Sequence, residues 1–184
     1  MNEDAESQAK TEAFNRAYNL YWVELVQLKI DTVYVERYRD WLTTWLTRFA
    51  IGRAVVSVGA LGSWFAGIGH PEIWGAVIVV SQVAEAVVNA LPLSTRQKSL
   101  SAFALALESI LIDALLEWET IHSGEIDAPE ITRRRHVLMR LRHETEAKNI
   151  PTGLPTKRRF SVLAEREAAA YFETTYNTRP LNEP

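Results

Sequence analysis

The distribution of apolar and polar positions divides the chain around its middle. Residues 54–69 carry no charge, and residues 73–91 carry one, Glu85. Between the two runs lies Gly69-His70-Pro71-Glu72, a tight turn without Lys or Arg. The pattern predicts a helical hairpin. A bilayer core needs about 20 apolar residues at 1.5 Å rise each. The first run reaches that length when extended back to Phe49, with Arg53 snorkelling toward the headgroups. The second is long enough but polar at its centre. There a charge costs about 2.5–3.5 kcal/mol against roughly −0.3 to −0.6 per large aliphatic residue. The second helix therefore needs a protein partner on its polar side.

Before the hairpin, residues 6–47 contain neither Pro nor Gly and predict one long helix or two in line. Tyr34, Tyr38, Trp41 and Trp45 share one helical face. That face reads equally as a core stripe or as an interfacial aromatic belt ahead of the first apolar run. After Pro92, Ser94 and Gln97 have capping-box spacing, and a helix is expected to about Ser123, stopped by Gly124. Leu100, Phe103, Leu107, Ile110, Ala114 and Ile121 form its stripe, widened by Leu111, Leu115 and Trp118. The N-terminal helix is the expected partner, in the same chain or a neighbouring copy. Asp127 and Glu130 predict a second capping box, opening a helix to about Asn149. A Pro/Gly loop follows over 150–156, then a last helix from about Arg158 to Tyr176. The expected fold is all-α, with an aromatic-rich region 1–48, a transmembrane hairpin 49–92 and a helical region 93–184.

Small residues and charge placement extend the membrane reading. Gly59, Ser63 and Gly67 at four-residue spacing let helices approach closely, as membrane helices do. In a soluble helix the glycines would each cost about 1 kcal/mol against Ala. Arg37, Arg39, Arg48 and Arg53 precede the first run, and Arg96 and Lys98 follow the second. With none in the turn, both ends are expected in the cytoplasm. The acidic start Met1-Asn2-Glu3-Asp4 is not expected to be a signal peptide. The alternative is a soluble all-helical oligomeric scaffold that buries residues 54–91 in its core.

Composition excludes more chemistry than it offers. Cysteine is absent, so no disulfide framework or thiolate metal site is possible. The net charge of −3 gives no overall attraction to a nucleic acid polymer. There is no phosphate-cradling Gly loop, no His pair with a Glu on one helix and no nucleophile elbow. His70, His122, His136 and His143 are scattered, and Glu108, Asp113 and Glu117 read as a solvated edge. No catalytic residue, metal site or bound cofactor is expected.

Two features remain. Ser81, Gln82, Glu85 and Asn89 form a polar face on the second apolar run. In an oligomer it would line a water-filled pore or hydrogen-bond helices together. Between Arg133 and Arg159 stand nine Lys or Arg against Glu144 and Glu146. Arg133, Arg134, Arg135, Arg140 and Arg142 lie before the Pro/Gly loop; Lys157, Arg158 and Arg159 lie after it. Arg forks suit a phosphate-bearing ligand, such as a cyclic nucleotide, or anionic lipid. A solvated face remains the plain reading.

An aromatic-rich first helix, a hairpin with a minimal turn, a long following helix and a last helix ending Ala168-Ala169-Ala170-Tyr171-Phe172 with Tyr176 together resemble the SLATT effectors. These are two-transmembrane proteins of bacterial nucleotide-signalling antiphage systems. The resemblance covers most of the chain. It implies a homo-oligomeric inner-membrane effector that forms pores or disrupts the bilayer, controlled by a nucleotide second messenger or a sensor protein. It brings no catalytic residues. The polar centre of the second run departs from a plain hydrophobic span.

Overall fold

A computed structural model describes the backbone of residues 2–66, 79–80, 82–83 and 93–176, and their side chains apart from 2–3, 53, 55–66 and 93–94. The architecture is all-α, with no strand among the described residues. Four helices follow in order: α1 Asn2–Ala66, α2 Leu93–His122, α3 Ala128–Asn149 and α4 Arg158–Tyr176. The chain divides into two compact units, one made of Met1–Tyr38 and Ser99–Pro184, the other of Arg39–Lys98.

The first unit is a helical bundle built on apolar stripes. α1 buries Ala17, Tyr21, Leu25, Leu28, Val35 and Tyr38, three- and four-residue steps that keep one face inward. Thr32 interrupts this row as a buried polar residue, and its hydroxyl donates to the Leu28 carbonyl at 2.8 Å. α2 turns Leu100, Phe103, Leu107, Leu111, Ala114, Trp118 and Ile121 inward. Its partner is α1 of the same chain: Tyr21 donates to the Ala114 carbonyl at 3.2 Å and to Glu117 at 3.1 Å. α4 buries Phe160, Ala164, Ala168 and Phe172, one per turn.

Two aromatic layers lie in this bundle. Trp118 packs 4.6 Å from Tyr18 and 4.8 Å from Trp22, centroid to centroid, and Trp22 meets Phe172 at 4.9 Å. In the second layer Tyr34 and Tyr38 each set an edge against Phe160 at 6.3 Å. The Tyr34 hydroxyl donates to the Pro155 carbonyl and accepts from the Lys157 amide, pinning the loop before α4.

Local signals explain the helix ends. α2 stops where Gly124 takes φ 77°, its N–H donating to Ile121 at 3.2 Å; the left-handed region favours glycine. Asp127 caps α3 by accepting from the Glu130 amide at 3.1 Å. The predicted reciprocal arm is absent, because the Glu130 carboxylate is taken by Arg133 and Arg134 instead. Asp127→Ala is expected to lower thermal stability by about 1 kcal/mol. Melts of the two proteins check this, and an unchanged midpoint would deny Asp127 its role.

In the second unit, α1 carries the Trp45–Phe49 stack, ring centroids 5.7 Å apart. The Gln97 amide nitrogen donates to Thr43 at 3.0 Å. Leu42 is buried. Among the described residues, one helix is long and apolar enough to cross a membrane: Thr95–His122, with mean hydropathy 1.8 and one third of the window buried. The second run of the expected hairpin lies mostly outside the described residues, as do positions 67–69 of the first. The first is helical as far as Ala66, since α1 continues into it without a break.

Candidate functional site

The first unit holds a half-buried cluster of charges. Tyr21, Leu25, Leu28 and Val35 fix the buried face of α1, and Glu24 and Asp31 stand at the edge of that face, two turns apart. α3 buries Ile131 and Leu138, which turns Arg142, four residues further, toward the same edge. Arg142 reaches Glu24 at 3.2 Å and forms its closest ion pair with Asp31. All three side chains are largely covered, with 20–28% of each exposed. Gln27 donates to Asp31 at 2.9 Å from the preceding turn.

Beside this cluster lies a cavity of about 230 Å³. Asp31, Arg142 and Glu146 give it a polar wall, with Tyr34 and Thr156 at its edges. Val35, Phe103, Leu107 and Leu154 make the rest apolar. Burial raises the Asp31 carboxyl above the ordinary carboxylate range. The Arg142 charge and the Gln27 hydrogen bond pull the other way, and Glu146 and Glu24 add to the rise. Two carboxylates thus share one guanidinium, with Glu146 on the same cavity wall. The chemistry on offer is proton and cation balance, since no nucleophile stands beside a base here. Among the described residues no group of three His, Cys, Asp or Glu is arranged to hold a metal ion.

Half of the basic residues expected to bind phosphate hold carboxylates instead. Arg133 and Arg134 converge on Glu130 at 2.7 and 2.9 Å. Hydrogen bonds from both guanidinium groups hold its carboxyl down to about 2. Arg140 lies 3.8 Å from Glu144, and Arg142 belongs to the cluster with Glu24 and Asp31. Arg135 is half-buried, with its Nε covered and unpartnered. Lys157 sits over the Tyr38 and Phe160 rings at 5.7 and 5.9 Å. Arg158 and Arg159 are exposed on the first turn of α4.

Of the polar face on the second apolar run, Gln82 is helical and exposed. Ser81, Glu85 and Asn89 lie outside the described residues, as does Gly67 of the small-residue stripe. Gly59 and Ser63 fall within α1. Sequence reasoning missed the Glu24–Arg142–Asp31 cluster. Its signal was present, since Glu24, Gln27 and Asp31 recur at three and four residues beside the buried stripe of α1.

Comparison of the chain with protein-family models, with curated proteins and with solved structures gave no match.

Proposed function

We propose that this protein is a membrane effector whose residues 49–92, within the unit Arg39–Lys98, insert in the bilayer as a helical hairpin. The other unit is then a cytoplasmic control domain. One observation carries the reading. In the unit Arg39–Lys98, Trp41, Trp45, Ile51, Val79, Val80 and Val83 expose between 38% and 68% of their surface. Large exposed apolar side chains favour a lipid or protein cover over water. What supports lipid is the sequence: the charge-free run 54–69, the Gly59–Ser63–Gly67 stripe, and basic residues at both outer ends with none in the turn.

The hairpin orientation puts both termini in the cytoplasm. Activation repacks the oligomer so that Gln82, Glu85 and Asn89 contact water and ions leak across the inner membrane. The resemblance to SLATT effectors supports a defence role, with a nucleotide second messenger or a sensor protein as the trigger. The exposed Arg158 and Arg159 would be the anion-contacting members of the basic segment, because Arg133, Arg134 and Arg142 already hold carboxylates.

Fractionation of the expressed chain with a carbonate wash tests the insertion. Retention in the membrane pellet is the expected result. Clean recovery in the soluble pool would overturn the proposal and make residues 54–91 the core of a scaffold. Given retention, Glu85→Ala with Gln82→Leu is expected to abolish ion leakage from cells or vesicles while leaving insertion intact. Undiminished leakage in that double variant would rule out the polar face as the pore lining.

A further inference from the structure

The cavity beside the Glu24–Arg142–Asp31 cluster draws its walls from α1, α2, α3 and the loop before α4. At about 230 Å³ it falls below the roughly 300–1,000 Å³ of pockets for drug-sized ligands. An occupant therefore has to be small. The apolar part of the wall, made by Val35, Phe103, Leu107 and Leu154, offers water no hydrogen-bonding side chain. A molecule with an apolar body gains there by removing that surface from water.

The polar part carries one cation, and its outer nitrogens are engaged. Nη1 of Arg142 donates to Glu24 at 3.2 Å, and Nη2 pairs with Asp31. Glu146, one turn further along α3, is the second carboxylate of the wall. Among the described residues no hydrogen bond or ion pair reaches its side chain. Arg142 is also the one cation that acts on Asp31, against Glu24 and Glu146. Lys157 follows Thr156 of the rim, but its ammonium lies over the Tyr38 and Phe160 rings. The surplus charge at the cavity is negative.

We propose that this cavity binds a small organic ammonium ion, a primary amine carried on an aliphatic or aromatic body. Its N–H groups donate to Glu146 and to the remaining lone pairs of Asp31. Its body lies on Val35, Phe103, Leu107 and Leu154. The Tyr34 hydroxyl is already committed to Pro155 and Lys157, so specificity for the amine falls to the carboxylates. A phosphate or carboxylate ligand would meet Asp31 and Glu146 and would have to take Arg142 from both of its partners. Every residue of the wall belongs to the unit formed by Met1–Tyr38 and Ser99–Pro184. The site therefore does not rest on membrane insertion.

Phenethylamine is the probe, titrated calorimetrically into the full chain purified from whichever cell fraction holds it. Phenethyl alcohol and hydrocinnamate carry the same ring on a neutral and an anionic head. Saturable binding of the amine is expected, with a rise in Tm, and binding of the other two should be at least about tenfold weaker. Glu146→Gln should weaken the amine about tenfold. It should leave the Tm without amine unchanged, since Glu146 is exposed and holds no partner among the described residues. Thr156→Trp, at the exposed rim, should block entry, and its melt without amine shows whether the fold is kept. No saturable binding of the amine would overturn the proposal and leave a cavity filled by water. So would equal affinity for the alcohol or the carboxylate, or an amine affinity untouched by Glu146→Gln. Each of these results is independent of where the protein fractionates.

Discussion

Arg142→Met is expected to destabilise the helical bundle by about 2–3 kcal/mol at neutral pH, less than the 3–5 kcal/mol of a fully buried pair because about a quarter of each partner is exposed. Methionine keeps most of the aliphatic stem, so the loss is chiefly electrostatic. Asp31 would be left covered, with only Gln27 donating to it and with Glu24 and Glu146 nearby.

The pH dependence distinguishes this cause from lost packing. In the native protein the Asp31 carboxyl already titrates above its ordinary range. The folded state therefore binds the proton more tightly than the unfolded chain does. Stability from this group is fully present below the unfolded value and is lost as pH rises through the folded one. Removing Arg142 takes away the main influence that lowers the folded value, which widens that window upward. The variant should accordingly regain stability on mild acidification and should be partly rescued by Asp31→Asn. Thermal melts of the variants across pH 4 to 8, roughly the carboxylate titration range and above, make the measurement. A loss that is independent of pH and untouched by Asp31→Asn would mean that Arg142 acts through packing alone.

Trp118→Ala should cost more, about 3–5 kcal/mol, the usual range for a buried tryptophan truncated in a packed core. Trp118 is 3% exposed and lies between Tyr18, Tyr21 and Trp22. Its removal opens a cavity where α1 and α2 meet and takes packing from Trp22, which carries the contact on to Phe172. Against a total of roughly 5–15 kcal/mol for a domain, that is enough to melt much of the bundle at physiological temperature. Denaturant titration of the wild type, Trp118→Ala and Trp118→Phe checks it, with Phe recovering most of the loss. A cost below about 1 kcal/mol for the alanine variant would remove this cluster from the core.

Some of this organisation is present in one dimension. Helices at 93–122, 128–149 and 158–176 end near positions that chemistry marks in advance. Gly124 is the residue that tolerates φ 77°, Asp127 is a preferred N-cap, and the Pro/Gly loop precedes α4. The stripe Leu100–Phe103–Leu107–Ala114–Ile121 is legible because a 3.6-residue period allows one face to be dry. The aromatic line Tyr34–Tyr38–Trp41–Trp45 is legible as a line, yet its two halves differ. Tyr38 is buried against Phe160, while Trp41 and Trp45 are more than a third exposed. Periodicity names a face and does not name what covers it.

The charged residues divide the same way. Counting along the chain finds a basic segment at 133–159 but treats its members as equivalent. In three dimensions Arg133 and Arg134 answer Glu130 from the same helix, whereas Arg142 answers Glu24 and Asp31 from more than a hundred residues away. Helix geometry allows the first pairing to be deduced, because residues three and four apart are neighbours. The second depends on which faces of α1 and α3 meet, and that is decided by the packing of Ile131, Leu138 and the α1 stripe. The amino-acid sequence by itself determined the all-α class, the helix ends, the apolar stripes and the absence of thiol chemistry, since each follows from local backbone preference or residue type. The Glu24–Arg142–Asp31 cluster and its cavity were decided only by tertiary structure. Each depends on distances between residues remote along the chain, which no local rule encodes.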